Sequence, residues 1–368
     1  MGTCHYCKNS RRTISDTIGY CAECIRNHFK VVWPQIKKVH DRSRRAYGLP
    51  ENPPYAPDGI SCGLCMHQCR IPEGETGFCG LRRVKNNKIS GGRPHEGNLS
   101  FYFDPLPTNC VADFVCPGGT GCGYPRYAVS KGPEYGFKNL AVFYHACGFN
   151  CLYCQNHHFK TKTYSAQKIS AKLLARAVNQ KTNCICYFGG DPTPQVLHAV
   201  KSSKMALSYA RGRILRICWE TNGSVQQSIL SMMADLSLKS GGCIKFDLKA
   251  WDDAIHHVLC GVTNRTTLIN FRTLAKQTDQ RPETPFLIAS TLLVPGYVDE
   301  PEVNEIARFI ASLNPNIPYS LLAFYPQFYL NDLPTTSESH ALRCKKSAEQ
   351  AGLKNVRIGN VHLLGNDY

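Results

Sequence analysis

From residue 140 onward, short apolar runs alternate with longer segments of helical period, and no other feature limits the fold of this chain as strongly. The runs are "LAVFYH", "CICYFGG", "ILRICWETNG", "CIKFDLKAW", "PFLIASTLLVPG" and "PYSLLAF". Their hydrophobicity is nearly continuous, as in strands covered on both faces. Between and after them lie "SAKLLARAVNQ", "TPQVLHAVKSSKMALSYARG", "SVQQSILSMMADLSLKS", "DEPEVNEIARFIASLN" and "SESHALRCKKSAEQAG", which read as helices. Repeated strand-helix units imply parallel strands with helical crossovers. The expected fold is α/β: a partial (β/α)6 TIM-like barrel over 137–368, with its site at the C-terminal ends of the strands.

The residues before the barrel have a different texture, expected to form an N-terminal cysteine-rich metal-binding extension. Residues 1–47 combine two Cys-x2-Cys pairs with a basic helical segment in which Pro34 is expected to kink or restart the helix. "GLPENPPYAPDG" marks a linker over 48–59, and 60–136 form a second cysteine-rich region. The chain has 20 cysteines. No apolar run is long enough to span a membrane, and "MGTCHYCKNS" lacks the apolar core of a secretory signal. A cytoplasmic location is therefore expected, where thiols stay reduced, so the clustered cysteines point to metals rather than to disulfides.

Cys4, Cys7, Cys21 and Cys24 have the spacing of a closed tetrahedral four-sulfur site, which suits zinc or a single iron. Cys62, Cys65, Cys69 and Cys79 suit either zinc or an iron-sulfur cluster. Cys110, Cys116 and Cys122 lie among glycines, whose backbone amides can approach cluster sulfides. Some of these seven are expected to hold an auxiliary 4Fe-4S cluster, with plain structural metal as the alternative. Cys184, Cys186, Cys218, Cys243, Cys260 and Cys344 sit mostly in apolar runs and read as buried structural thiols.

"HACGFNCLYCQNHHF" places Cys147, Cys151 and Cys154 directly after the strand "LAVFYH". Three cysteines satisfy three irons of a cubane and leave the fourth open, which catalysis needs and a four-cysteine knuckle denies. This Cys-x3-Cys-x2-Cys loop resembles that of the radical S-adenosylmethionine (SAM) superfamily. The resemblance implies that SAM chelates the open iron and that an electron splits it into methionine and a 5′-deoxyadenosyl radical. It also implies an anaerobic oxidoreductase or transferase with a reducing donor of the ferredoxin or flavodoxin kind.

Further motifs extend the resemblance to pyruvate formate-lyase-activating enzymes. "FGGDPT" resembles a Gly-Gly-Glu-Pro-Thr motif, so that Gly189, Gly190, Asp191 and Thr193 would hold the SAM ammonium. Tyr153 fits the aromatic that packs near the adenine. "ETNG" and "FDLKAW" resemble Asp-Thr-Asn-Gly and Asp-Leu-Lys motifs. They imply SAM contacts at Glu220, Asn222, Asp247 and Lys249, with Lys249 on the SAM carboxylate, and a monovalent-cation site at Glu220, Thr221 and Asp247. An ion pair between Asp247 and Lys249 is not expected, because alternate strand residues do not readily extend toward each other. Tyr325 stands where activating enzymes often carry a SAM-contacting histidine. The segment around it, "GLKNVRIGNVH" and the block from Cys62 to Arg82 are similar to radical SAM proteins of the AmmeMemoRadiSam system.

Arg126, Tyr127, Tyr325, Tyr329, Asn360 and His362 are candidates for the substrate side, with rim packing as the alternative. The substrate is expected to be a protein or peptide, as in glycyl-radical activation, or else a lipid, small molecule or RNA. The net charge of +16 permits an acidic partner, but thiolate ligands would offset part of it. A non-catalytic zinc-ribbon nucleic-acid-binding protein would leave the barrel motifs unexplained.

Overall fold

The computed structural model describes residues 2–10, 12–165 and 167–366. Its centre is an eight-stranded sheet of β1 (Leu99–Pro105), β2 (Lys138–Tyr144), β3 (Thr182–Gly189), β4 (Arg216–Thr221), β5 (Ile244–Asp247), β6 (Leu287–Leu293), β7 (Tyr319–Ala323) and β8 (Val356–Gly359). The strands lie in chain order across the sheet. From β2 to β8 each neighbouring pair is parallel. All six expected strands are present, and two more extend the sheet at its edges. The extra β8 is a short strand, half-buried throughout. The extra β1 pairs antiparallel with β2 over its full length, so a segment from the cysteine-rich region completes the barrel sheet.

The crossovers are α3 (Ala171–Ala177), α4 (Val196–Ala210), α5 (Gln227–Ser240), α6 (Asp253–Cys260), α7 (Arg265–Ala275), α8 (Glu300–Leu313) and α9 (Glu338–Gln350). The five expected helices are α3, α4, α5, α8 and α9. The α6 helix has its own signals: the Asp252 carboxylate accepts hydrogen bonds from Ala254 N (2.9 Å) and Ile255 N (3.0 Å), and Gly261 ends it at φ +74°.

The N-terminal helices are Ala22–Asn27 and Phe29–Arg45. The chain breaks at His28 (φ −133°), and the second helix runs through Pro34. This corrects the expected restart at Pro34, whose missing amide removes one backbone hydrogen bond without ending the helix. The knuckle is continuous with the barrel core: Cys4, Ile14, Ile18 and Ile25 are buried in the same apolar cluster as Val294, Val298 and Leu330. Ser15 Oγ donates to Asp332 (2.9 Å), Asp16 N donates to the same carboxylate (2.6 Å), and Tyr297 Oη donates to Tyr20 O (3.1 Å). A Cβ at Gly296 would lie 2.1 Å from Thr13 O, so that position requires glycine.

The end of the sheet opposite the motif-bearing loops is closed by a buried ion pair. Arg216 donates to Glu134 through Nη1 (2.8 Å) and Nη2 (2.5 Å), and Asn183 donates to the same carboxylate at 2.9 Å. Both charged side chains are at most 1% exposed. Burial alone would raise the Glu134 pKa, but the Arg216 hydrogen bonds and charge bring it below the usual carboxylate value. Glu134→Ala should therefore cost about 3–5 kcal/mol, because it strands a buried guanidinium. Denaturant unfolding of the anaerobic protein checks this, and a loss below about 1 kcal/mol would contradict it.

Burial also holds His40, His67, His198 and His256 down to about 4. They bind protons less readily folded than unfolded. Their contribution to stability is complete above about pH 6.5 and is lost as pH falls toward the folded values. Thermal midpoints should decline steadily from about pH 7 to about pH 4.5, and a flat profile would contradict this.

Candidate active site

The loop after β2 carries Cys147, Cys151 and Cys154, and its course is fixed from several sides. Asn150 N and Leu152 N donate to the carbonyls of Cys260 (2.9 Å) and Leu259 (2.9 Å) at the end of α6. Tyr329 N donates to Leu152 O (2.9 Å), and His67 Nε2 lies 2.6 Å from Gly148 O. Beneath the loop, buried Lys160 donates to Asn150 Oδ1 at 2.7 Å.

The three thiols line a cavity of about 220 Å³ at the C-terminal ends of the strands. Its wall also includes Tyr153, Gly189, Gly190, Asp191, Glu220, Asn222, Asp247, Lys249, Tyr325 and Asn360. The two glycines are needed because the end of β3 lies against the root of the loop. A Cβ at Gly190 would be 2.4 Å from Ala146 O, and Gly189 has φ +110°.

Asp191 is buried and ties two strand ends together. Its carboxylate accepts hydrogen bonds from Thr193 N (2.8 Å), Thr221 Oγ1 (3.1 Å) and Asn222 N (2.7 Å). Thr193 is buried beside Asp191, and its Oγ1 has no hydrogen-bonded protein partner. Asn222 Nδ2 points to Cys147 Sγ at 3.7 Å.

Two charge arrangements differ from expectation. Lys249 pairs with Asp247, because β5 ends at Asp247 and the lysine beyond it folds back. Burial opposes the charge on Lys249, but Asp247 and Cys151 hold its ammonium protonated. Glu220 accepts a hydrogen bond from Lys245 Nζ (2.7 Å), and Thr221 Oγ1 is engaged with Asp191. The Lys245 ammonium thus engages one oxygen of the Glu220 carboxylate that the expected cation site would use. Lys245 is two residues before Asp247 on one strand, so strand periodicity was the signal for it.

Several rim candidates lie elsewhere. Arg126 pairs with Glu283 (3.1 Å), Tyr127 is buried with its carbonyl accepting from Arg216 (2.8 Å), and Tyr329 lies under Arg42. His362 is exposed, and neither it nor the other three line the cavity. Lys160 does line it and was missed. Burial lowers the Lys160 pKa to about 8, while the neighbouring cluster-loop thiols act to raise it.

The donor set suits an iron-sulfur cluster with an open iron. A hydrogen bond with the Cys260 thiol and the charge of Lys249 hold Cys151 below the usual thiol pKa; burial pushes Cys154 up to about 11 and Cys147 higher still. Two buried lysines therefore stand ready to offset thiolate charge. Asp247 Oδ1 is a buried acceptor with no hydrogen-bonded protein partner. Residues 141–310 match the Radical SAM superfamily model. These residues form a radical SAM domain.

The radical SAM domain has relatives of two kinds. The chain is 29% identical over 212 residues to a Methanocaldococcus jannaschii protein named as a glycyl-radical enzyme activating enzyme, covering 57% of this chain and 76% of that one. It is 25% identical over 309 residues to an uncharacterized protein of the same organism, covering 82% and 81%. It is 25% identical over 162 residues to the pyruvate formate-lyase 1-activating enzyme of Escherichia coli, covering 43% of this chain and 62% of that enzyme. The match over residues 141–310 implies a 4Fe-4S cluster, SAM and enzymatic activity. No helix among the described residues is long and apolar enough to cross a membrane.

Outside the radical SAM domain, the sulfurs of Cys4, Cys7, Cys21 and Cys24 lie within 4.8 Å of one another, a spacing suited to one ion. Burial opposes ionisation of Cys4, but hydrogen bonds from the amides of Cys21, Cys7 and Tyr6 bring it down to about 6. Cys62, Cys65, Cys69 and Cys79 surround a small hairpin of Ile60–Ser61 with Arg70–Ile71. They form no such compact set. Cys110 and Cys116 face the barrel interior, whereas Cys122 donates to Val115 O at 3.2 Å. Cys21→Ser should release one tightly bound metal ion per chain and lower the thermal midpoint of the whole domain. Elemental analysis beside calorimetry checks both, and retention of the ion would contradict the four-sulfur site.

Proposed function

We propose that this protein is an activating-type radical SAM enzyme that abstracts hydrogen from a protein or peptide. The observation that carries this reading is the 29% identity, over 76% of its length, to a Methanocaldococcus jannaschii protein named as a glycyl-radical enzyme activating enzyme. The cavity lies at the C-terminal ends of the strands, where a chain segment can present a substrate carbon.

When bound, the cluster and SAM together supply electron-driven cleavage of the sulfonium bond and a hydrogen-abstracting 5′-deoxyadenosyl radical. This chain does the holding and the shielding. Cys147, Cys151 and Cys154 are the cluster ligands. The Gly189-Gly190 backbone admits the SAM amino group, Lys249 offers its ammonium to the carboxylate, and Tyr153 backs the adenine. Asp191 acts on SAM by fixing the strand ends around it, and Asn222 by its contact with Cys147. Phe188, Leu292 and Leu322 keep the inner wall apolar, while Tyr325, Gln327 and Asn360 meet the substrate. The electron comes from a ferredoxin- or flavodoxin-like donor.

Anaerobically reconstituted, dithionite-reduced protein should form 5′-deoxyadenosine from SAM, and Cys151→Ala should form none. Lys249→Met should keep wild-type iron but bind SAM about ten- to a hundredfold more weakly, the worth of one charge-assisted hydrogen bond. A protein extract deuterated at glycine Cα and freed of small molecules should pass deuterium into 5′-deoxyadenosine. Transfer from the small-molecule filtrate alone would overturn the macromolecular substrate.

A further inference from the structure

Below the SAM cavity the barrel holds a second chamber of about 120 Å³. Six cysteines line it: Cys110, Cys116, Cys184, Cys186, Cys218 and Cys243. The strand register brings four of them together. Cys184 and Cys186 share one face of β3, Cys218 on β4 pairs directly with Cys186, and Cys243 directly precedes β5. The connection between β1 and β2 supplies Cys110 and Cys116. The chamber and the SAM cavity share Phe188, Glu220 and Lys245 as walls.

We propose that this chamber is a second iron-sulfur cluster site, held by thiolates from these six cysteines inside the barrel. Three observations carry it. First, isolated buried cysteines behave as small apolar side chains, but here six converge on one space also lined by Lys245, Glu220, Asp104 and Asn139. Second, two buried cations already donate to these sulfurs. Lys245 Nζ donates to Cys110 Sγ and Cys186 Sγ (3.2 Å each), and Arg216 donates to Cys184 Sγ through Nη2 (3.1 Å) and Nε (3.3 Å). N–H donors aimed at sulfur stabilise thiolate ligands and tune the metal group they hold. Third, the thiols approach this space from β3, β4, the start of β5 and the β1–β2 connection, an arrangement that can surround a multinuclear group.

This ligand set differs from the expected auxiliary site among Cys62 to Cys122, because it draws on strand residues of the barrel. It is also independent of the substrate proposed above. The test compares two full-length variants after anaerobic reconstitution with iron and sulfide. Cys147→Ala/Cys151→Ala/Cys154→Ala removes the loop cluster, and the second variant adds Cys186→Ala and Cys218→Ala. Iron and acid-labile sulfide should fall by one further cluster complement in the second variant, with loss of the matching Mössbauer component. Unchanged residual iron and sulfide would overturn the site. So would zinc in place of the iron, or a Cys218–Cys243 disulfide found by mass spectrometry in the anaerobic preparation.

Circular dichroism and retention of the N-terminal metal show that the second variant is folded. If it is not, Cys186→Ser in the triple-alanine background replaces it. Serine ligation or ligand exchange should alter the Mössbauer parameters of the residual cluster, and unaltered parameters would again overturn the site.

Discussion

Parallel strands in register have two consequences, and the rest of this molecule follows from them. Their C-terminal ends gather at one rim, and along each strand every second side chain faces the interior. β3 therefore turns Cys184, Cys186 and Phe188 inward, β4 turns in Arg216, Cys218 and Glu220, and the β5 segment turns in Cys243, Lys245 and Asp247. From one end of the sheet to the other, this inner face passes from the Arg216–Glu134 pair through sulfur to the lysine–carboxylate pairs beside the cavity of the cysteine loop. A charged interior of this kind persists because each ion has a partner inside the same low-dielectric space.

The parts that were legible in the sequence are those where chemistry and backbone coincide. The Cys147–Cys154 loop, Gly189-Gly190 and Lys249 each occupy a strand end, and the structure gathers them around one cavity. The four N-terminal thiols were equally plain, because short spacing leaves little freedom. Side-chain pairing was less legible. Lys245 was absorbed into an apolar run, although its period-two relation to Asp247 was visible. Lys249 turned back to Asp247 because it lies beyond the last strand residue, a boundary the sequence did not mark.

The chamber cysteines illustrate the same limit. Each one alone fits an apolar strand, and only register places Cys218 opposite Cys186. Similarly, β8 was missed because a short, half-exposed edge strand carries little hydrophobic signal, and β1 because its residues are largely exposed. Substrate-side residues were the least legible. Tyr127 and Tyr329 look like rim aromatics in the sequence, yet each is committed to packing elsewhere.

The docking of the knuckle has a consequence for biosynthesis. Ser15 meets Tyr297 and Asp332 across sequence separations of 282 and 317 residues. The metal site can assemble once Cys24 has left the ribosome, but the apolar face around Ile14 and Ile18 has nothing to cover it until the seventh strand and its following loop are made. At about 5–20 residues per second, that face waits for tens of seconds. A segment made 282 residues before Tyr297 is thus among the last to find its place, and the growing chain carries an exposed adhesive patch until its partners emerge.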